Sequence, residues 1–187
     1  MLAIVPVKRL EDAKSRLAPG LSEAKRQVLV RRMLASVLAA CDAARLVDGV
    51  LVVTPDPGLA PGRDVLVDPG VGHALAIALA LRDERARCGA VVVMADCPFA
   101  SPESLDALVE AARPVALVPA GDGGMNALAL ADPTLFEPAF GQPESARVTA
   151  ARARSVGIEP RLLDDAGLAF DVDRPEDLDL VRPLLAA

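Results

Sequence analysis

The sequence predicts an α/β protein with a mainly parallel, mixed central sheet, in a single domain that spans residues 1–187. Apolar runs typical of buried strands alternate with helical segments, the order that produces a parallel sheet covered by helices. Hydrophobic residues make up 52% of the chain and aromatic residues only 2%. The core must therefore be built from Ala, Val, Leu and Ile, which is typical of such sheets.

Seven short apolar runs predict strands, because each is rich in aliphatic residues and is followed by Pro, Gly or charged residues. They are residues 2–7, 50–54, 64–67, 90–95, 115–119, 162–163 and 169–172. The run 90–95 is the most apolar of them and ends at Asp96. The charged segment 8–17 and the Gly-rich residues 121–124 are predicted to be loops.

Five segments predict helices, because they begin at a capping residue or carry an apolar face. They run from Ser22 to about Ala40, over 73–87, from Ser101, over 145–156 and from Asp173 onward. After Ser101, Pro and Glu occupy the first turn, which is a favoured order for a helix start. All but the last helix separate two strands, as parallel pairing requires.

Charge and composition exclude several functional classes. A net charge of −6 and the absence of Trp and Tyr argue against a phosphate-backbone footprint and a base-stacking surface, so no nucleic acid partner is expected. The sequence shows no apolar run long enough to cross a bilayer and no signal-peptide pattern, so we expect a cytoplasmic protein without membrane contact. Three cysteines without CxxC spacing are predicted to be reduced thiols. Helices this rich in Ala and Leu are compatible with a homodimer.

Several chemically active side chains follow predicted strands directly. Lys8, Asp68 and Asp96 each come after an apolar run, and Asp122 lies in the loop after another. In open parallel sheets, ligands bind at the carboxyl ends of the strands, near the point where the strand order reverses. The sequence therefore predicts a ligand site formed by these ends.

A basic loop after the first strand is a candidate phosphate site. Lys8, Lys14 and Arg16 lie within nine positions, and such cations can neutralise a polyphosphate that backbone N–H groups also contact. The loop is not a P-loop, because the sequence contains no GxxxxGK[ST] motif, and no GxGxxG follows a strand. The same spacing is equally typical of a solvated surface loop.

Three aspartates are candidate metal ligands. Asp96 ends the most apolar run, and Asp171 and Asp173 alternate around one residue, so on an extended segment both point to one side. Two carboxylates so close repel unless a cation lies between them, and oxygen ligands beside substrate phosphates favour Mg²⁺. Alternatively, Asp173 simply caps the final helix. The two roles are compatible.

His73 is the only histidine in the chain, which excludes a Ser-His-Asp triad or a His-based zinc site in any simple form. At a predicted helix start it can donate to a nucleotide, but a surface or packing role fits equally well. Gly70 and Gly72 allow close backbone approach to a ligand. Cys97 follows Asp96, but no base lies near it in sequence, so packing is the favoured interpretation.

Taken in order, these residues resemble the CofC-type guanylyltransferases over nearly the whole chain. The matching blocks are residues 6–8 with 13–19, 53–56, 68–70 with 72, 95–98, 122–124 with 126–128, 140–141, and 171–173 with 175–178. The resemblance implies the Rossmann-like fold of the nucleotide-diphospho-sugar transferases. It also implies condensation of GTP with 2-phospholactate, phosphoenolpyruvate or 3-phosphoglycerate, with release of pyrophosphate, in biosynthesis of a deazaflavin coenzyme.

The resemblance also implies the site residues. Triphosphate binding and catalysis would fall to Lys8, Lys14 and Arg16, with Asp96 as a further catalytic residue. The base and ribose would lie near Asp68, Gly70, Gly72 and His73. The Mg²⁺ ligands would be Asp96, Asp171 and Asp173. The acid acceptor would contact Gly124, Met125, Asn126, Gly141 and Ser145.

The sequence departs from the usual family pattern at three places. His73-Ala74 stands where the family usually has Leu-Asn, Met125 replaces a Thr, and the stretch from Gly141 to Ser145 has one extra residue. Two of these changes touch the expected acceptor pocket. Alternative functions are therefore a transferase with another acceptor, such as a sugar phosphate or a molybdopterin, or a paralogue that binds nucleotide without turnover.

Overall fold

In the computed structural model, which describes residues 1–11, 14–70 and 72–186, a seven-stranded sheet has helices on both faces. The strands are β1 (Leu2–Pro6), β2 (Gly49–Thr54), β3 (Asp64–Val67), β4 (Ala90–Val93), β5 (Val115–Pro119), β6 (Met125–Leu130) and β7 (Arg161–Leu162). The helices are α1 (Glu23–Ala43), α2 (His73–Leu81), α3 (Pro102–Ala111), α4 (Ser145–Ser155), α5 (Ala166–Ala169) and α6 (Leu178–Ala186). None of the described helices combines the length and apolar character needed to cross a membrane.

The strand order is β3-β2-β1-β4-β6-β5-β7. Strands β1, β2, β3 and β4 pair in parallel, as do β5 and β7, whereas β6 runs antiparallel to both β4 and β5. The predicted mixed, mainly parallel sheet is therefore confirmed. The order reverses between β1 and β4, so their carboxyl ends border the crevice where such sheets bind ligands.

Alternating side chains of the central strands divide the core into two apolar clusters. Ala3 and Val5 of β1 face the side covered by α1, α3 and α6, while Leu2 and Ile4 face the side covered by α2 and α4. The central strands β1, β4 and β6 are buried on both faces, as expected for apolar strands covered by helices on both sides. This packing fixes the strand ends, and with them the loops that carry the predicted site.

Two element predictions are wrong. The run 169–172, predicted as a strand, contains the last residue of α5 and an extended segment outside the sheet, because Asp165 caps α5 through the backbone N–H of Leu168. The helix predicted over 73–87 ends at Leu81, since Asp83 caps a separate 3-10 turn, Glu84–Ala86. Strand β6 was not predicted from the sequence.

Candidate active site

The basic loop after β1 folds back against acidic residues from the other end of the chain. The Lys14 ammonium donates to the carboxylates of Asp96 and Asp173, and the second of these contacts measures 3.0 Å from Nζ to Oδ1. Arg16 Nη1 donates to the other oxygen of Asp173 at 2.8 Å. The structure thus brings together residues that lie up to 159 positions apart. The alternative of a solvated loop is wrong for Lys14, whose side chain is 8% exposed.

Local backbone structure explains why Lys14 points inward. Its φ of 56° places it in the left-handed region, which is uncommon for a residue with a side chain and is concentrated at functional sites. The residue opens a 3-10 turn, Ser15–Leu17, and Leu17 is fully buried. The buried leucine anchors the turn, so Lys14 is held at the mouth of the crevice.

The three predicted carboxylates converge. One oxygen from each of Asp96, Asp171 and Asp173 lies within 4.8 Å of the others. Val172 is fully buried between the two C-terminal aspartates, so both point to the same side, as the sequence predicted. The backbone N–H of Val172 donates to the carbonyl oxygen of Asp96 at 3.2 Å, which ties the two segments together.

Burial and mutual repulsion shape the charge of this cluster. Burial raises the pKa of Asp171, and the neighbouring Asp96 and Asp173 raise it further, while a hydrogen bond from Asn126 opposes them. Burial alone would lower the pKa of Lys14, but its ion pairs with Asp96 and Asp173 outweigh that effect and raise it. Lys14 is therefore charged at neutral pH and supplies the cation that the close carboxylates require.

Asp173 does not cap the final helix. The carboxylate of Asp177 accepts hydrogen bonds from the backbone N–H groups of Asp173 and Arg174, at 2.8 and 2.7 Å. The N-cap position itself is Arg174, so the capping alternative for Asp173 is wrong. The carboxylate of Asp173 remains directed at the basic loop.

A cavity of about 310 Å³ opens at the carboxyl ends of β1 and β4. Its polar lining comes from Lys8, Lys14, Arg16, His73 and Asp96, together with Asp173. The volume lies at the lower end of the range for small-molecule sites. These predicted charged residues therefore line the crevice that the strand order indicates.

His73 begins α2 and lines this cavity. Its Nε2 is buried and has no hydrogen-bond partner among the described residues. Burial lowers the pKa of His73, and the nearby positive charge of Lys8 lowers it further, although Asp96 and Asp68 oppose this. A neutral imidazole with a free nitrogen can exchange one hydrogen bond with a bound molecule.

The turn between β3 and α2 supplies the other predicted nucleotide residues. Asp68 Oδ1 accepts from the backbone N–H of Gly70 at 2.8 Å. Gly70 and Gly72 have φ values of 81° and 94°, which side-chain residues rarely adopt. Of these four predicted residues, His73 is the one found in the described lining of the cavity.

The predicted acceptor residues lie on several elements. Gly141 lies beside Ala74 at the start of α2, near the cavity. Asn126 contacts Asp171, whereas Met125 is 4% exposed and packs in the apolar cluster that α2 and α4 cover. The structure does not bring the Met125 side chain to the cavity.

Two further acceptor residues lie at element starts. Gly124 precedes β6, and its backbone N–H donates to Asp122 Oδ1 at 2.8 Å within the glycine-rich turn. Ser145 is the first residue of α4 and is 3% exposed. Their contact with an acceptor stays a prediction.

The sequence analysis did not predict a structural role for Gly167. A Cβ built at this position would lie 2.4 Å from the carbonyl oxygen of Phe99, so only glycine lets α5 approach the loop after Asp96 so closely. This approach seats the segment that carries Asp171 and Asp173. No local signal marks the position, because the contact joins distant parts of the chain.

Comparison with known proteins adds a family to this geometry. The sequence model of the family described as "Guanylyl transferase CofC like" matches residues 1–182. The chain belongs to the CofC-like guanylyltransferase family. The resemblance inferred from the sequence motifs is thereby confirmed.

Relatives that are named for the reaction they catalyse resemble this CofC-like chain over almost its full length. The phosphoenolpyruvate guanylyltransferase of Sphaerobacter thermophilus is 46% identical, covering 95% of this chain and 90% of that protein. The 3-phospho-D-glycerate guanylyltransferase of Phenylobacterium zucineum is 36% identical, covering 94% and 86%. The family is thus a family of enzymes, and its members differ in acceptor.

A solved structure supports the fold of the CofC-like chain. A protein from Desulfovibrio desulfuricans G20, provisionally described as a nucleotide-diphospho-sugar transferase, superposes with a TM-score of 0.79 at 18% identity. The match covers 99% of this chain and 96% of that one. It confirms the predicted nucleotide-diphospho-sugar transferase fold.

The carboxylate cluster of this CofC-like chain fits a divalent metal ion. All three potential ligand atoms are carboxylate oxygens, which hard divalent cations prefer. The carboxylates already bind a positive charge, since the Lys14 ammonium donates to both Asp96 and Asp173. A metal here would leave Lys14 free to contact a bound anion.

Cys97, next to Asp96, is a packing residue in this CofC-like chain. It is fully buried, and its Sγ lies 3.6 Å from the carbonyl oxygen of Leu168. Burial raises the pKa of Cys97 well above its ordinary value, and Asp96 and Asp171 raise it further. The thiol therefore stays protonated and is a poor nucleophile.

Proposed function

We propose that this chain transfers GMP from GTP to the phosphate of a small phosphorylated carboxylic acid, with release of pyrophosphate, in deazaflavin coenzyme biosynthesis. One observation carries the proposal: the Lys14 ammonium contacts Asp96 and Asp173 at the mouth of the cavity, where a basic loop meets three carboxylates. Nucleotidyl transfer needs that pairing of cations and metal-binding oxygens. The names of the relatives supply the nucleotide and the class of acceptor.

The nucleotide would lie along the cavity wall formed by the basic loop and the start of α2. Lys8, Lys14 and Arg16 would hold the triphosphate, because all three are basic side chains that line the cavity. The turn that begins at Asp68, together with His73, would contact base and ribose. His73 would use its free Nε2 for this contact.

Asp96, Asp171 and Asp173 would hold Mg²⁺, since they offer only oxygen ligands. When bound, the ion would neutralise charge on the reacting phosphates. The protein residues then have two tasks: the aspartates fix the position of the reacting groups, and Lys14 and Arg16 stabilise the charge of the departing pyrophosphate.

The transfer is an in-line substitution at the α-phosphorus of GTP. An oxygen of the acceptor phosphate forms the new P–O bond, the bond between the α- and β-phosphates breaks, and the electron pair leaves with pyrophosphate. The acceptor oxygen is already anionic at neutral pH, so no general base is required. A cavity whose only histidine is held neutral is compatible with this chemistry.

The acceptor is a phosphorylated three-carbon acid: phosphoenolpyruvate, 2-phospholactate or 3-phosphoglycerate. Gly141, Ser145 at the start of α4 and Gly124 directly before β6 would form the acceptor subsite. The position of Gly141 beside Ala74, the residue after His73, supports a subsite next to the proposed nucleotide wall. The core position of Met125 means that its replacement of a Thr removes a hydroxyl without adding a side chain to the cavity.

A substrate panel tests the proposal. Each phospho-acid, a sugar phosphate and a molybdopterin are combined with each of the four NTPs and Mg²⁺, and pyrophosphate release is followed. We expect release with GTP and at least one phospho-acid. Release only with a sugar phosphate or a molybdopterin would contradict the proposed acceptor. GTP binding in a calorimeter without release from any combination would contradict catalysis.

Asp96→Asn and Asp171→Asn test the metal centre. Each variant should lose more than about 100-fold in kcat, because a metal site contributes several kcal/mol of charge stabilisation. Circular dichroism should show an intact fold. Asp179→Asn is the control, since Asp179 is exposed on α6 and, among the residues that the structure describes, pairs with Arg182 on the same helix. Wild-type transfer by either site variant would refute the metal assignment.

A cytoplasmic location and a homodimer are part of the same proposal. The apolar helix α2 leaves Leu75 and Leu79 more than 40% exposed, so it is the surface on which we would expect a second copy to pack. Light scattering on the purified protein, with Leu75→Lys as the variant, tests the dimer.

A further inference from the structure

Asn126 is the only asparagine in the chain, and it lies at an irregular place in the sheet. In the pair of β5 and β6, Val118 is opposite Ala127, and the next residue of β5 is opposite Met125. Asn126 is therefore the extra residue of a β-bulge, a feature that re-aims side chains and is common beside active sites. Met125 faces the apolar core, whereas Asn126 contacts the segment that carries Asp171.

The side-chain amide of Asn126 makes two hydrogen bonds inside the protein. Its Nδ2 donates to the carbonyl oxygen of Ala169 at 3.0 Å and to Oδ1 of Asp171 at 3.1 Å. A side-chain amide has only two N–H donors, and the residue is 5% exposed. Both donors are thus committed, and donation to an acceptor molecule would break one of these bonds.

These bonds hold a segment that the sheet does not hold. The residues after α5 pair with no strand in the described part of the chain. Apart from the bonds of the Asn126 amide, the hydrogen bond between this segment and the sheet region runs from the Val172 N–H to the Asp96 carbonyl oxygen, while the buried Val172 side chain packs in the core. The direction of the Asp171 carboxylate is therefore set largely from β6, which lies between two other strands.

We propose that Asn126 is a positioning residue of the metal centre, which aims the Asp171 carboxylate at the point it shares with Asp96 and Asp173. Asn126 acts through Asp171 and does not itself bind the acceptor. The inference rests on the proposed function, because it assigns Asn126 to the metal ligands of that reaction. Groups that orient metal ligands typically change metal affinity or activity by about 10–100-fold when they are removed.

Mn²⁺ binding tests the proposal without requiring turnover. Free Mn²⁺ is measured by electron paramagnetic resonance as it is added to the wild-type protein, to Asn126→Ala and to Asn126→Leu. Leucine nearly fills the space of asparagine but cannot donate, so it keeps the test valid if the smaller side chain impairs folding. The control is Asp106→Ala, which removes a buried carboxylate that accepts from the Leu46 N–H in the loop before β2.

Both Asn126 variants should bind Mn²⁺ at least about tenfold more weakly than the wild type, while the control variant binds it normally. In steady-state assays, kcat should fall and the KM for the phospho-acid should stay unchanged. This split separates positioning of the metal ligand from contact with the acceptor, because loss of an acceptor contact raises that KM.

Unchanged Mn²⁺ affinity in a folded Asn126 variant, with a raised KM for the phospho-acid, would overturn the inference. The proposed function fails separately: a wild-type protein that binds Mn²⁺ but transfers no GMP would refute it, while the comparison of Mn²⁺ affinities still decides the role of Asn126. A wild-type protein that binds no Mn²⁺ would overturn both.

Discussion

Lys14→Met is a direct test of how the carboxylate cluster is held together without a metal. The Lys14 ammonium contacts Asp96 and Asp173, and Asp171 lies beside them. In the variant, Arg16 would still pair with Asp173, but no ammonium would lie between Asp96 and Asp173, and like charges at this spacing repel. We expect the metal-free variant to be less stable than the wild type, and we expect Mg²⁺ to restore most of the loss.

The structure gives the size of this effect. Two unit charges separated by 3.0 Å, as Lys14 Nζ and Asp173 Oδ1 are, attract each other by about 5 kcal/mol at an effective dielectric constant of about 20. The cost of dehydrating the ammonium offsets part of this, and removal of one partner of a buried pair costs about 3–5 kcal/mol. Asp96 and Asp173 remain 26% and 37% exposed, so solvent screening reduces the expected loss to about 2–3 kcal/mol.

Thermal unfolding followed by circular dichroism measures the loss. For a domain of this size, about 2–3 kcal/mol corresponds to a fall in Tm of about 5–10 °C. Lys14→Met, the wild type and Lys25→Met are melted in EDTA and again in excess MgCl₂. Lys25 is the control because it is exposed on α1, so its replacement should leave Tm unchanged in both buffers.

Two results would refute the reasoning. The first is a Lys14→Met variant that melts with the wild type in EDTA, which would mean that the carboxylates need no cation. The second is a destabilised variant that Mg²⁺ stabilises no more than it stabilises the wild type. In that case the three aspartates would not share a metal.

Two further predictions follow from the seating of α5 and from the buried histidine. Gly167→Ala forces a Cβ against the Phe99 carbonyl oxygen. We therefore expect the free energy of unfolding, measured in urea, to fall by about 2 kcal/mol and Mn²⁺ binding to weaken. Gly121→Ala is the control, because a Cβ there meets no atom within 4 Å, and it should change neither quantity. Burial lowers the pKa of His73 in the folded protein, so the unfolded chain binds a proton at this residue more readily. The corresponding stability is fully present above about pH 6.5 and is lost as the pH falls through the lowered pKa. When the unfolding free energy is plotted against pH, His73→Gln should make the acid side of the curve less steep. The contribution of His73 to that slope is at most about 1.4 kcal/mol per pH unit. An unchanged slope would contradict the prediction.

The sequence predicted the sheet and the carboxylate pair because both depend on local patterns. Buried parallel strands read as apolar runs, and β1 to β5 were found near their observed positions. Asp171 and Asp173 were expected on one side of an extended segment, and buried Val172 between them confirms it. Period-two alternation works here although the segment is not part of the sheet, since an extended backbone is sufficient.

Tertiary contacts decided what the sequence could not predict. From spacing alone, the loop containing Lys14 was equally typical of a solvated surface, and only its contact with Asp173 distinguishes the two cases. The run 169–172 has the composition of a strand, but side-chain bonds from Asn126 hold it in place of a backbone ladder. Strand β6 was missed because its short Ala and Leu run follows a glycine turn and lacks the β-branched residues that mark strands.

Asp177, and not Asp173, supplies the capping carboxylate at the start of the final helix. An aspartate just before a helix normally spends its carboxylate on the first free N–H groups of that helix. Here Asp177, inside the first turn, accepts from the N–H groups of Asp173 and Arg174. The carboxylate of Asp173 makes no bond to the helix start in the described structure, and its two oxygens accept from Lys14 and from Arg16. Asp177 therefore fixes the backbone at Asp173 from inside the turn, and the Asp173 carboxylate faces the basic loop and the carboxylates of Asp96 and Asp171.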